Sequence, residues 1–545
     1  MKKLALSLLI FSLAFTSVYA QKVKMPKPPF KVTKAQMYED YDQFLHIVET
    51  YCGHIELRLK TGYDIMGILR ERRAKIENIK NYWEFIQFMD RSVYKILDMH
   101  AQKRDIFYNP PHPRYAPGES FYDSSYISYI SNGLEQYYDY INQKNPFKNY
   151  DNWLFSTGAR YIDGQYYCAD YLNFRNPHSN DSICFQNTRI VACDKLPADI
   201  YVRERLFNEL RPWALLWDVK REKYFTPSFL INHSKPFKVV DEDSSITYDF
   251  IPKHYGIKMQ TSGNKEFRYK EDWSDAKQWP KQFATYFPEQ KILYIYTEMM
   301  MPQRRCYDSL CDSIIVDYSL YDSIIKVGAG KEIDKVICDV RNNQGGGDGF
   351  WYDMLAHIIK NPITFKHNIA LNYNDEVKAY LLAEFPPEMT KDYTKDTIAF
   401  LDNKIMYVNH TVATIFPEEN SLQYDGKIYI LQGLNTYSAA HSFSSLARQV
   451  PQLVSIGVST GQLAGFGLNP WGFQLKNSHY TFSFEPALDI TNAEKWEDVF
   501  QCVPEIEIEP TLKDINNEVY RLFMSPEEYL IKYDYLFKYI MNLND

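Results

Sequence analysis

Cysteine is scarce in this chain, with 8 residues in 545. That is too few for a disulfide scaffold, and a chain of this length can bury real cores instead. The closest pairs in sequence, Cys184/Cys193 and Cys306/Cys311, lack CxxC spacing and have no accompanying histidine cluster. HExxH is missing as well, so no metal site is expected. Cys338 falls in a strand-like run and reads as a buried free thiol. A basic surplus is also lacking: 61 Lys+Arg stand against 69 Asp+Glu, for a net charge of −8, which argues against a nucleic-acid partner. After residue 20 no apolar run is long enough to cross a membrane, and there is no internal repeat or low-complexity tract. Aromatic residues are plentiful at 16%, within a hydrophobic total of 45%. Most of them are expected in cores, although Tyr and Trp also suit surfaces that grip other chains.

Lys2 and Lys3 followed by the apolar stretch Leu4 to Phe15, with Val18 and Ala20 at the −3 and −1 positions, have the form of a signal peptide. The expectation is export to the periplasm or the extracellular space. Residues 21–115 read as a Pro/Lys-rich arm and a helical domain, because Met37, Tyr41, Phe44, Leu45 and Val48 recur at helical spacing. Residues 116–225 carry short Tyr-rich alternating runs. Around Arg189–Arg203 they show a strand, a turn and a helix in the order of half a PDZ module, against a generic β-rich insertion. Residues 226–290 are connecting strands. From 291 to 515 the rhythm is α/β, with strands at Lys291–Tyr296, Val336–Val340, Lys427–Leu431 and Leu453–Val458 and helices at Ser309–Val327, Phe350–Lys360 and after Asn435. Such repeats build a mostly parallel sheet with its site beyond the strand carboxyl ends. Residues 516–545 form a C-terminal helical segment.

Two strand-to-helix turns carry candidate chemistry. In Asp339-Val-Arg-Asn-Asn-Gln-Gly-Gly-Gly, consecutive glycines let backbone N–H groups approach a ligand. No Lys-Ser/Thr follows, which excludes a P-loop. Phe350 stands where the third glycine of a dinucleotide fingerprint belongs. An oxyanion hole or a purely structural turn remains. Ser438 opens the second turn. A hydroxyl there caps a helix as readily as it attacks a substrate, but Thr436 and Asn435 are alternative caps. The small Ala439 and Ala440 that follow leave room for substrate.

Asp339-Val-Arg-Asn-Asn-Gln-Gly-Gly, Thr436-Tyr-Ser-Ala-Ala and Val503-Pro-Glu-Ile, taken in order, resemble the core of the C-terminal processing peptidases, a family that includes the tail-specific proteases, the tricorn protease core and the interphotoreceptor retinoid-binding proteins. Asp98-Met-His100 resembles the Asp-Gly-His motif of the same family. The resemblance implies a crotonase-like (ClpP/crotonase) α/β catalytic core with an N-terminal helical domain and a PDZ-like insertion. It implies Ser438 as nucleophile, and Gly345 or Gly346 with Ala439 as oxyanion donors. One branch uses a lysine after the next strand. Here no lysine occurs between Ser438 and Lys476, so the branch with a histidine base and a downstream glutamate fits better. His100 matches the base, and Glu497, with Asp498 as competitor, matches the acid. Met99 and Ala101 depart from the family pattern at this motif.

Two decoys are set aside. His441 lies three residues after Ser438 on the same helix, so its ring projects beside the hydroxyl and is given a packing or substrate-side role. Gly457-Val-Ser459-Thr-Gly461 fits GxSxG, but Gln462-Leu-Ala-Gly-Phe-Gly-Leu-Asn-Pro is full of helix breakers. The expectation is therefore an exported serine endopeptidase that needs no cofactor and acts on polypeptides, without nucleic acid or a stable membrane span. A homo-oligomer is compatible with it. The alternative is an inactive binder of peptides or apolar ligands on the same fold.

Overall fold

The computed structural model describes residues 25–28, 30–98, 100–103, 156–168, 173–175, 182–184, 188–203, 215–226, 228–232, 237–240, 247–250, 279–301, 303–305, 315–317, 319–384, 390–460 and 470–543. The expected signal peptide, Met99, Cys306, Cys311 and most of the breaker-rich stretch after Gly461 lie outside them. Helix α1 (Lys34–Tyr51) starts at a Thr33/Gln36 capping box. It buries Met37, Tyr41, Phe44, Val48 and Tyr51, the three- and four-residue spacing of one helical face. Helix α2 (Tyr82–Val93) is capped by Asn81 and buries Trp83, Phe85, Ile86, Met89 and Val93. Strands Ser156–Ile162, Gln165–Cys168 and Arg189–Cys193 belong to an antiparallel sheet that continues through Ser228–Asn232, Phe237–Val240 and Thr247–Phe250. The expected strand, turn and helix are present there as Arg189–Cys193, the turn to Leu196–Pro197, and Ala198–Tyr201.

The α/β unit begins with β1 (Gln282–Phe287) and β2 (Ile292–Thr297), an antiparallel pair. Then follow β3 (Lys335–Asp339), α3 (Asp348–Ala356), β4 (Ile428–Gln432), α4 (Ala439–Ser445), β5 (Leu453–Gly457), β6 (Trp471–Gln474), β7 (Thr481–Phe484) and β8 (Ile506–Glu507). One sheet runs in the order β1-β2-β3-β4-β5-β8, parallel from β2 onward. Every residue of β2, β3 and β4 is buried, as parallel strands covered on both faces require. Alternation sorts them. Leu293, Ile295, Cys338 and Ile430 pack toward α3 and α4 with Trp351 and Phe443. Tyr294, Tyr296, Ile337 and Leu431 pack under the C-terminal helices Pro526–Lys532 and Tyr535–Met541, through Leu530, Leu536, Phe537 and Ile540. Cys338 is a buried free thiol, as expected.

One expected helix is shorter. Among the described residues of the span read as Ser309–Val327, Ile315–Asp317 is a strand paired with Gln303–Arg305, and the helix covers Ser319–Gly328. The apolar pair Ile314-Ile315 fits either period, and β-branched residues favour the strand.

The hairpin β6–β7 joins the two halves of the molecule. Asp40, fully buried on α1, accepts from the backbone N–H groups of Asn477 and Ser478 in the hairpin turn at 2.9 and 2.7 Å. Phe44 meets Phe482 edge-on, and Tyr380 stacks on Trp471 at 3.8 Å. Gln102 and Lys103 then pair antiparallel with Ser483 and Phe482. This pairing carries the end of the N-terminal helical domain to the carboxyl edge of the sheet.

Candidate active site

Two loops meet beyond β3 and β4. Asn343, fully buried, ties them together: its carbonyl accepts from the Tyr437 N–H at 3.0 Å, its Oδ1 accepts from the Gly345 N–H at 2.8 Å, and its Nδ2 donates to Thr297 O at 3.0 Å. Thr436 Oγ1 donates to Val340 O at 2.8 Å and accepts from the Gly433 N–H at 2.9 Å. Arg341 anchors the start of the first loop. It is held by Asp339 and by Asp534 of the C-terminal segment, the latter at 2.7 Å, while Tyr294 donates to Asp339 at 2.6 Å. Burial opposes the Asp339 carboxylate, but the Arg341 guanidinium and the Tyr294 hydroxyl hold it below its ordinary range.

Ser438 precedes α4 with φ 53° and ψ −128°, and its side chain does not cap the helix. A non-glycine residue in this region carries strain of about 1–3 kcal/mol. The strain turns the hydroxyl out of the capping position and leaves it half-buried at the mouth of the turn. Gly345 lies directly against it, for a Cβ built there would stand 2.5 Å from Ser438 Cβ and 2.7 Å from Tyr437 O, at φ +95°. Gly346, at φ +147°, forms a parallel bridge with Met300. The two hydrogen bonds of that bridge use Gly345 O and the Gly347 N–H, each at 2.7 Å. The Gly346 N–H is outside both. In the first turn of α4, Ala440 donates to Tyr437 O and Ser442 to Ser438 O, and the Ala439 N–H is outside these. The Gly345 N–H is already committed to Asn343, so of the two expected glycine donors it is Gly346 that has its N–H to offer.

His100 comes to the same edge. Its ring packs on that of Tyr437, the residue before Ser438, with centroids 5.0 Å apart. Asp98, fully buried, fixes the local backbone by accepting from the His100 N–H at 2.9 Å and from the Glu485 N–H at 2.5 Å. Glu485, just after β7, places Oε2 3.9 Å from His100 Nδ1, while its Oε1 accepts from the Ala487 N–H at 3.1 Å. Burial, reinforced by Asp98, pushes the Glu485 carboxyl well above the usual range. Glu485 was not among the expected residues. Its signal was a lone carboxylate in the aromatic run Tyr480-Thr-Phe-Ser-Phe-Glu485, where a charge is costly without a partner.

The expected acids are on a different element from Glu485. Glu497 is on the short turn Trp496–Val499, whose Val499 and Phe500 share a cluster with Tyr437. Asp498 is engaged in capping that turn, accepting from the N–H groups of Glu494 and Lys495 at 3.1 Å each. His441 is buried, and its Nδ1 meets Thr460 Oγ1 at 2.9 Å. Burial lowers its pKa to about 4, which suits a packing role. Among the described residues no cluster of His, Cys, Asp or Glu could hold a metal ion, and no helix is long and apolar enough to cross a membrane.

Residues 313–513 match the model of Peptidase family S41. The matched segment is similar to the serine-type peptidases of that family. It contains both loops, Ser438 and Glu485, whereas His100 lies outside it. No curated protein matches the chain. Among solved structures, mature CPAF matches over 93% of this chain and 98% of its own at 12% identity, with a TM-score of 0.48. The photosystem II D1 C-terminal processing protease matches over 90% and 97% at 10% identity, TM-score 0.32. A putative S41 protease from Bacteroides fragilis matches over 81% and 96% at 12% identity, TM-score 0.31.

Proposed function

We propose that this chain works as an endopeptidase of the S41 type in which Ser438 attacks the peptide carbonyl, His100 takes its proton, and the N–H groups of Gly346 and Ala439 receive the oxyanion. The observation that carries the reading is the Ser438 backbone, held in a strained conformation against Gly345 with its side chain free of the helix cap. A serine kept only as a cap would have no reason to bear that strain.

A serine hydroxyl is a weak nucleophile until a neutral imidazole accepts its proton. His100 stands beside Tyr437 at the required edge, and Glu485 faces its Nδ1. A carboxylate on that side orients the ring and stabilises the imidazolium that forms as Ser438 attacks. Burial disfavours the ionised form of Glu485, so it takes this stabilising role only when its carboxyl has lost its proton to solvent. The imidazolium then donates its proton to the leaving amine, and water hydrolyses the acyl-enzyme by the same route. Removing one oxyanion donor costs about 2.7–4 kcal/mol of transition-state stabilisation. The crotonase-like core, the PDZ-like insertion and export to the periplasm or beyond belong to the same proposal. They rest on the ordered motifs and on the apolar N-terminal segment.

Proteolysis of an unfolded protein such as casein, compared with Ser438→Ala and His100→Ala at equal folded concentration, tests the reading. Cleavage by the wild type that vanishes in Ser438→Ala and falls at least a hundredfold in His100→Ala supports it. Cleavage that survives in Ser438→Ala overturns it.

A further inference from the structure

A groove lies between α3 and α4, lined among others by Asp348, Trp351, His367, Ser442 and Asp489. Both of its walls start at the reacting residues. Asp348 opens α3 two residues after Gly346, and Ser442 lies one turn along α4 from Ser438, to whose carbonyl it donates its N–H at 3.0 Å. One helical turn advances about 5.4 Å. On α4 the lining of the groove therefore begins about one helical turn from Ser438.

Its polar atoms form a half-completed set. Asp348 is held by one oxygen, Oδ1, which accepts from Trp351 Nε1 at 2.9 Å. Asp489 is likewise held by Oδ1, which accepts from the Thr491 N–H at 2.8 Å. Its Oδ2 stands 3.8 Å from His367 Nε2, too far for a hydrogen bond. The Ser442 hydroxyl is buried without a protein partner, and so is His367 Nε2. Lys366 borders the groove, but successive strand side chains point to opposite faces. Phe365 and His367 face Trp351, and Lys366 is turned to the exposed side. Two carboxylates thus face one imidazole, and the wall stays net negative even when that imidazole is protonated. Burial pushes the Asp348 carboxyl up against the pull of His367, while His367 and Thr491 hold the Asp489 carboxylate below its ordinary range despite its burial.

We propose that this groove is a specificity subsite for the basic side chain, lysine or arginine, of the substrate residue flanking the scissile bond. The ammonium or guanidinium donates to the second oxygens of Asp348 and Asp489 and to Ser442 Oγ. Trp351 and Phe365 pack along the aliphatic stem. The inference rests on Ser438 being the nucleophile, and the experiment keeps the two apart.

Matched fluorogenic peptides that differ only at the residues flanking the cleaved bond, with Arg, Lys, Leu, Phe or Glu there, are assayed on the full chain. In parallel, Ser438→Ala is titrated calorimetrically with product peptides ending in Arg or in Leu. The expected result is at least tenfold higher kcat/KM for Arg or Lys than for Leu, with Glu lowest, and tighter binding of the Arg-ended product. The Arg/Leu ratio falls at least tenfold in Asp489→Asn and in Asp348→Asn. Equal cleavage of Arg and Leu peptides, or a preference for Phe, overturns the subsite while leaving the nucleophile intact. Loss of all cleavage in Ser438→Ala attributes the activity to the described site, so a wild type that cleaves none of the peptides and binds neither product overturns both readings. Should the aspartate variants unfold, the product-binding comparison decides on the unaltered groove.

Discussion

Replacing Gly345 by alanine should disable the enzyme with little loss of substrate affinity. The new methyl group would be built 2.5 Å from Ser438 Cβ, 2.7 Å from Tyr437 O and 3.1 Å from Ala439 N. Ordinary contacts between carbon atoms lie at about 3.5–4.0 Å, so Ser438 must retreat by about 1 Å. The backbone compounds the problem, since φ +95° at residue 345 costs an L-residue about 1–3 kcal/mol. Both loops are pinned by Asn343 and cannot drift apart freely. A misplacement of about 1 Å at a reacting group costs about a hundredfold in rate. The expected result is a fall in kcat of at least a hundredfold with KM within about threefold of wild type, read with a chromogenic peptide and with the rate of fluorophosphonate acylation. Gly347→Ala is the control. Its Cβ meets nothing within 4 Å and its φ is −109°, so its rate should stay within about twofold. If Gly345→Ala acylates as fast as Gly347→Ala, the contact between the glycine loop and Ser438 is not what holds the nucleophile.

Other residues give independent checks. Glu485→Gln should lower kcat at least tenfold. It should also raise the thermal midpoint at pH 8 relative to wild type, because an acid whose folded pKa is raised loses stability as pH rises from its unfolded value toward its folded one. An unchanged kcat would remove Glu485 from the mechanism. His441 and His54, with folded pKa values of about 4 and about 3, bind fewer protons folded than unfolded between those values and about 6.5. Their contribution is full above pH 6.5 and lost as pH falls toward 4. His441→Gln should therefore flatten the acid limb of the stability profile, by about 3 kcal/mol at most, and a limb identical to wild type would contradict the neutral assignment. Asp534→Ala frees one side of the Arg341 clamp and the cap of the last helix. It should lower the thermal midpoint by several degrees and slow acylation of Ser438, whereas a loss of stability alone would confine the clamp to a structural role.

The parallel sheet was readable because its strands are continuous apolar runs ending in turn residues, and both the glycine loop and Ser438 sit at such run ends. The helix expected over Ser309–Val327 was misread at Ile315–Asp317, since Ile315 and Val316 suit a strand and pairing with Gln303–Arg305 decides for it. The choice between Gly345 and Gly346 depended on which N–H Asn343 consumes, a three-dimensional fact that spacing does not contain. Glu485 stayed hidden for a related reason. It reaches His100 only because Gln102 and Lys103 pair with the strand before it, a contact between segments some 380 residues apart. The two aspartates of the groove lie 141 positions apart: Asp348 opens α3, and Asp489 is on a strand paired with Ile363–Asn372, whose Phe365 packs on Trp351 of α3.

The most direct test of the account is fluorophosphonate labelling of the folded protein, with the modified residue identified by peptide mass. The account predicts one adduct, on Ser438, formed more slowly in His100→Ala and absent in Ser438→Ala. An adduct on another serine, such as Ser442 or Ser459, or no adduct from a folded sample between pH 6 and 9, would contradict it.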